Sequence, residues 1–362
     1  MKKRVLIFID WFDPAYKAGG PIRSVVNMVQ WQEEELDLWI FTSAYDLHSS
    51  EELKGPVLNR WTSYGNHAHV FYATRDQLKY SSIKRIIRSV APDQLYLNGM
   101  FSIKFVLFPL WMQRWSNKPI PTLLVPRGML KSSALAFKRT KKIIFLKLSQ
   151  LLGLYNKVSF QATDKQELED VKSRFPQHDV ELKPNFPSKI ARSTLSLEKK
   201  PGFLQLIFVG RIHPIKNLQF LLETLKPILG EVILTICGVS ENKEYLKICQ
   251  HTASTLPANI TVNFVGEREH ASLLKLMEEH HALALPTQGE NFGHAIFEML
   301  SLGRPVIISD QTPWKNLEEK KMGFDLPLDK PVLFSQAIQT MVDWGQVEWD
   351  GFSSEARNPL AH

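Results

Sequence analysis

Residues 282–308, ALALPTQGENFGHAIFEMLSLGRPVII, constrain the chain most, because they compress a strand, a polar loop, a helix and a second strand into one unit. ALAL reads as a buried strand. Residues 286–292 cannot extend it, and residues 294–302 carry apolar side chains at helical spacing. Gly303 ends that helix, and PVIIS restarts as a strand. This is one step of a parallel sheet. In such sheets ligands bind beyond the carboxyl ends of the strands, where the next helix presents unpaired N–H groups and its positive dipole end. Gly289, Glu290, Asn291, Phe292 and Gly293 occupy that place.

The same grammar runs through the chain. RVLIFI, DLWIF, HVFYA, QLYL, TLLVP and VSFQA are strand candidates in the first half, separated by helical patterns at 22–32, 81–90 and 143–152. LQLIFVG, VILTICG, ITVNFVG, HALALP and PVIIS repeat it in the second, with helices near 217–225, 244–254, 271–279 and 295–302. Such alternation predicts parallel sheets covered on both faces. Between the halves, residues 188–202 are polar without an apolar period and read as a linker. At 362 residues the length favours two domains, and 44% hydrophobic content supports sizeable cores. MKKRVLIFIDWF begins like a signal peptide, but its apolar run is short and broken by Asp10 and Asp13, so it is the first strand. Cys237 and Cys249 have no metal-ligand spacing and form no disulfide framework, which fits a reducing cytoplasm.

Glu290 is expected in the loop and Glu298 in the second turn of the helix, a spacing unlike the facing carboxylates of a hydrolase. Gly293 just before the helix lets a diphosphate approach the backbone, and a carboxylate can hold ribose hydroxyls. On spacing alone, a solvated helix with two surface glutamates fits equally.

These residues carry a resemblance. Glu, seven residues, then Glu, set in ENFGHAIFE and followed by MLSLGRPVIISDQTPW, resembles the donor-site signature of retaining GT-B glycosyltransferases of the family 4 (group 1) type, in their bacterial surface-polysaccharide class. FVGRIHPIKNLQFLLETL resembles that family's strand, phosphate loop and helix, KAGGPIRSVVNMV its N-terminal glycine loop, and VPRGML, ATDKQELE and KPNFP its later N-terminal domain. The resemblance implies an α/β GT-B fold of two doubly wound Rossmann-like domains facing across a cleft. Residues 1–187 would bind acceptor, 188–202 would link, 203–345 would bind the nucleotide sugar, and 346–362 would form a tail crossing back to the first domain. Trp344, Trp349 and Phe352 in and beside that tail are expected to pack rather than stack on ligand.

By the same resemblance Arg211 and Lys216 would contact the donor diphosphate, and Glu290 would hold the transferred sugar. Asn291, Phe292 and Gly293 would line sugar and phosphate, Glu298 would bind the ribose, and Gly19 and Gly20 would form the N-terminal loop. Fixed cations supply the charge a metal would otherwise provide. The chain has no Asp-any-Asp motif at a strand end and no His or Cys cluster with metal spacing, so no metal and no cofactor are expected beyond a co-substrate such as a UDP- or GDP-sugar. The chain departs from the family where many members carry a histidine after the fourth N-terminal strand, since QLYLNGMFS places Asn98 and Gly99 there. Arg127 in PRGML is a second candidate for sugar or diphosphate contact, or a salt-bridged structural arginine.

Net charge is +7, and residues 131–147 hold six basic residues and no acidic one among Leu135, Phe137, Ile143, Ile144 and Phe145. Such a segment suits an anionic membrane face and equally a helix with its charged side in water. Nucleic acid is a poorer partner, because no recognition motif accompanies the charge. The expectation is a transferase acting on a glycan or lipid-linked glycan in lipopolysaccharide, O-antigen or capsule synthesis, cytoplasmic and peripheral on the inner membrane face. A glycogen or starch synthase-like transferase is the competing enzyme, only partly matched by KAGG at 17–20. A silent nucleotide-sugar binder is the competing class.

Overall fold

The computed structural model describes residues 2–131, 134–135, 139–191, 195, 197–357 and 359–360. Two compact units divide between Pro187 and Ser188. In the first, β1 (Lys3–Phe8), α1 (Gly20–Gln32), β2 (Leu36–Ser43), β3 (Trp61–Tyr64), β4 (Ala68–Ala73), α2 (Tyr80–Val90) and β5 (Gln94–Asn98) are followed by α3 (Phe108–Arg114), β6 (Thr122–Val125), α4 (Arg139–Leu151), β7 (Val158–Ala162), α5 (Lys165–Arg174) and β8 (Val180–Leu182). The sheet order is β3-β4-β2-β1-β5-β6-β7-β8, antiparallel only between β3 and β4. The β1 register buries Leu6 and Phe8 in one core and Val5 and Ile7 in another, because alternate side chains leave a strand on opposite faces. Helix α1 carries Pro21 as its second residue, where the fixed φ suits a first turn, and buries Ile22, Val25, Val26 and Val29.

The second unit runs β9 (Phe203–Val209), α6 (Leu218–Thr224), β10 (Glu231–Cys237), α7 (Lys243–Ser254), β11 (Ile260–Gly266), α8 (His270–Glu278), β12 (Ala282–Leu285), α9 (His294–Ser301), β13 (Val306–Ser309), β14 (Gly323–Leu326), α10 (Pro331–Asp343) and α11 (Gln346–Ala356). Its sheet is parallel throughout, in the order β11-β10-β9-β12-β13-β14. Each sheet reverses its winding once. After β1 the chain builds outward through β2 and β4, then returns to place β5 on β1's other side. After β9 it builds through β10 and β11, then returns to place β12 beside β9. The loops leaving those paired strands splay apart and leave a crevice at the carboxyl ends.

Part of the segment read as a linker is anchored in the second unit. The buried Lys199 ammonium donates to the carbonyls of Lys200, Val342 and Trp344, and burial pushes its pKa down to about 8. Leu195 offers its carbonyl to Arg304, a fully buried guanidinium that also donates to Glu278 O and lies 5.1 Å from the Trp349 ring centroid. Helix α11 packs here through Trp349, whose indole donates to His281 O at 3.2 Å. Trp344 and Phe352 meet tilted at 4.4 Å, and both stack on Phe324. These three aromatics are packing residues of the second core.

Candidate active site

At the β9/β12 crevice two loops are tied together before any charged group is placed. Gln288 N donates to Ile215 O at 2.7 Å, and the Thr287 hydroxyl donates to the same oxygen at 3.2 Å. Ile215 lies in a single 3-10 turn, Pro214–Lys216, whose start is capped by His213 Nδ1 accepting the Ile215 N–H at 3.2 Å. Burial, with the charge of Arg211 second, holds the His213 pKa below its usual value and keeps that nitrogen an acceptor. The turn carries Lys216 to the loop after β12, where its ammonium is hydrogen-bonded to Glu290 Oε1. Both side chains are largely withdrawn from solvent.

The rest of that loop is fixed from its backbone. Glu290 N donates to Gln311 O at 3.2 Å, and the Trp314 indole donates to Phe292 O at 2.7 Å. The Phe292 ring lies 4.8 Å from His294 and 6.1 Å from Trp314. Asn291 lies between Glu290 and Phe292, and Gly293 caps α9 at φ +76°. The positive φ favours glycine at 293, and a Cβ there would come closest to the movable end of Ile296, Cδ1, at 2.8 Å. Arg211, in the loop after β9, donates from one terminal nitrogen to both oxygens of Glu241 at 3.0 Å. Glu298 is buried in α9, where Oε1 accepts the Ser188 hydroxyl at 3.0 Å and meets His270 Nε2 at 2.8 Å.

The β1/β5 crevice of the first unit is built differently. Asp10 follows β1, and its Oδ1 accepts the Ser102 hydroxyl from the segment after β5 at 2.8 Å. Burial raises the Asp10 pKa to about 6, against the lowering effects of that hydrogen bond and of Lys104. Gly19 takes φ +66° immediately before α1, which Gly20 begins, and the preceding turn hangs on Asp46 Oδ2 through Tyr16 N at 3.1 Å and Lys17 N at 3.4 Å. Asn98 ends β5 and accepts from Arg127 Nε at 2.8 Å. Arg127 also donates to the Tyr96 hydroxyl at 2.8 Å and to Asn185 Oδ1. The expected salt-bridged alternative for Arg127 is therefore corrected: its guanidinium is held by three neutral acceptors, because the surrounding strand ends supply amide and phenol oxygens.

Comparison with known proteins agrees with this topology. Residues 204–343 match the model of the family described as Glycosyl transferases group 1. No curated protein sequence matches the chain. Among solved structures, sucrose-phosphate synthase from Thermosynechococcus elongatus superposes with a TM-score of 0.70 at 18% identity, covering 99% of this chain and 94% of that one. HepE from Anabaena, solved with UDP and glucose, gives 0.69 at 14% identity over 98% and 94%. WaaG, a glycosyltransferase involved in lipopolysaccharide biosynthesis, gives 0.63 at 12% over 98% and 94%.

The fold is GT-B. Within this GT-B chain the matched region contains Arg211, Lys216, Glu290 and Glu298, and the structure brings Lys216 and Glu290 into direct contact. Sequence reasoning missed the partners that hold the other members: Glu241 on Arg211, His270 and Ser188 on Glu298, and His213 under Lys216. It also missed the Asp10–Ser102 pair. Only His213 left a signal, in the His-Pro step that opens the turn. Chemically, two cations with exchangeable carboxylate partners at a strand-end crevice can accept phosphate oxygens in place of carboxylate oxygens.

Proposed function

We propose that this chain is a glycosyltransferase that moves a sugar from a nucleotide-sugar donor, such as a UDP- or GDP-sugar, to a glycan or lipid-linked glycan in cell-surface polysaccharide synthesis. The observation that carries the proposal is the Lys216–Glu290 contact across the β9/β12 crevice. A cation and a carboxylate, one from each loop, stand where this sheet topology presents a ligand. Lys216 and Arg211 take the diphosphate and stabilise its charge as the glycosidic bond to phosphate breaks. Glu290, released from Lys216, accepts hydroxyls of the transferred sugar, and the amides of residues 291–293 line the same loop. Glu298, pre-set by His270 and Ser188, receives the ribose. Transfer proceeds with retention, the donor phosphate taking the acceptor proton, so no protein nucleophile is required. The acceptor binds at the first unit's crevice, beside the Gly19 loop and Asp10. The group 1 family match and the likeness to HepE and WaaG support this reading.

Thermal-shift titration with UDP-, GDP- and ADP-sugars tests it: one nucleotide class should stabilise the protein, and turnover of that donor should survive EDTA. No stabilisation by any of the three, or activity restored only by added magnesium or manganese, overturns the assignment.

A further inference from the structure

Between Asp93 and Asp164 the chain contains no Asp or Glu and eleven Lys or Arg. This stretch includes α3 and α4, whose C-terminal ends approach each other. A Cβ on Gly153, just past α4, would come within 3.1 Å of Arg114 Nε at the end of α3, and Lys157 Nζ reaches Ser116 O at 3.5 Å. At the other end, Phe101 and Phe145 meet edge to face at 5.4 Å, with Lys142 over the Phe101 ring. Helix α2, whose Tyr80 ring meets Phe108 of α3 at 5.7 Å, adds the exposed Lys84, Arg85 and Arg88 and no acidic residue.

Helix α4 also exposes apolar side chains in register. Ile144, Leu148 and Leu151 recur at helical spacing on one side of α4 and are 59%, 53% and 84% exposed. Trp115, at the end of α3, is 65% exposed and lies under the Arg114 guanidinium, 6.1 Å from the partly exposed Trp111. A folded chain ordinarily buries such a row, and contiguous exposed apolar surface marks a site of interaction. Lys141 and Lys147 on the same helix are exposed as well. Aliphatic side chains, tryptophans and cations together match the acyl boundary, interface and headgroups of a bilayer in turn. No helix among the described residues is long and apolar enough to cross a membrane, so the surface would lie on it rather than span it.

We propose that α4 and α3 form a docking surface for an anionic lipid bilayer, with Ile144, Leu148, Leu151 and Trp115 entering the interface and Lys141 and Lys147 meeting the headgroups. The inference does not depend on the donor chemistry, and its test uses no donor. Sedimentation with vesicles of phosphatidylcholine alone, and of phosphatidylcholine with about one-third phosphatidylglycerol, should show binding only to the anionic vesicles, weakened by salt.

Each Lys near an anionic leaflet contributes about five-fold to partitioning, so Lys141→Glu with Lys147→Glu should lower binding at least twenty-five-fold. The same exchange at Lys243 and Lys247, an exposed pair on α7, should lower it far less. Leu148→Ser with Leu151→Ser removes the apolar half at exposed positions and should weaken binding about ten-fold with an unchanged thermal transition. Equal loss in the α7 control would reduce the effect to net charge and overturn the docking surface. Equal binding to neutral vesicles would overturn the role of charge. No binding to either vesicle would overturn the proposal and direct attention to an acidic protein partner.

Discussion

The crevice where β1 and β5 part and the crevice where β9 and β12 part arise from the same reversal of sheet winding, yet they hold opposite chemistry. At β9/β12 the cations Arg211 and Lys216 are matched by the carboxylates of Glu241 and Glu290. At β1/β5 the carboxyl of Asp10 is desolvated, has a hydroxyl rather than a cation as its hydrogen-bond partner, and has a pKa raised to about 6. Arg127 at that end is tied to neutral oxygens. On the proposed reading the same backbone scaffold presents an anion-exchange site in one unit, and in the other a desolvated carboxyl beside an arginine held by neutral oxygens. Topology sets where a ligand can sit, and the loop residues set which ligand.

Removing the carboxylate from the second crevice should have the largest effect. Glu290→Gln keeps the side-chain size but takes away the charge proposed to face the transferred sugar, and turnover should fall about 10²- to 10³-fold. The variant also frees Lys216 from its ion pair, so nucleoside diphosphate affinity should hold or rise slightly. Steady-state kinetics together with calorimetric titration separates the two effects. Parental turnover would make the Lys216–Glu290 contact merely structural.

Lys216→Ala comes next. A charge-assisted hydrogen bond contributes about 2 kcal/mol, so nucleoside diphosphate binding should weaken roughly thirty-fold. Calorimetry on a variant with an unchanged melting transition checks it, and unchanged affinity would remove the anion-exchange description of this crevice.

What could be read from the sequence follows from how local each interaction is. The strand–helix alternation and the glycine just before α9 are written in consecutive residues, so periodicity and helix-start chemistry expose them. Edge strands β3 and β8 are short and lack a clean alternation, which left them invisible. Long-range partners left no pattern: Glu241 lies on the loop after β10, and Lys199 is satisfied by carbonyls of residues far along the chain, so residues 188–202 looked like a polar linker. Asp10 was legible only as an interruption of an apolar run. Its hydrogen-bond partner is a hydroxyl from the segment after β5, far along the chain.

The first crevice predicts a pH effect of opposite character to an ion pair. The folded pKa of Asp10 lies above its ordinary value of 3.8, so between about pH 4 and pH 6 the folded state binds more protons than the unfolded one, and this group's contribution to stability falls as pH rises through that window. Ionised Asp10 therefore costs about 3 kcal/mol above pH 6. Asp10→Asn, which keeps an acceptor for Ser102, should raise stability by about that amount near pH 8 and by almost nothing below pH 4. Denaturant unfolding at both pH values reads it. A gain independent of pH would mean that the carboxyl is not desolvated.

The smallest expected effect sharpens the contrast most, because it asks whether a carboxylate in the second crevice competes with ligand or prepares the site for it. Glu241 accepts from Arg211 through both oxygens at 3.0 Å, but the Arg211 side chain is 43% exposed, so solvent screens the pair to roughly 1 kcal/mol or less. If the site works by exchange, diphosphate binding must first displace Glu241, and the pair energy is lost on binding. Glu241→Gln should then raise nucleoside diphosphate affinity about two- to five-fold, with the gain shrinking as salt is added and screening weakens the parental pair. Calorimetric titration of the variant across ionic strength measures both trends. A fall in affinity would show that Glu241 orients Arg211 for the phosphate, and the second crevice would then be a preorganised clamp rather than an exchanger.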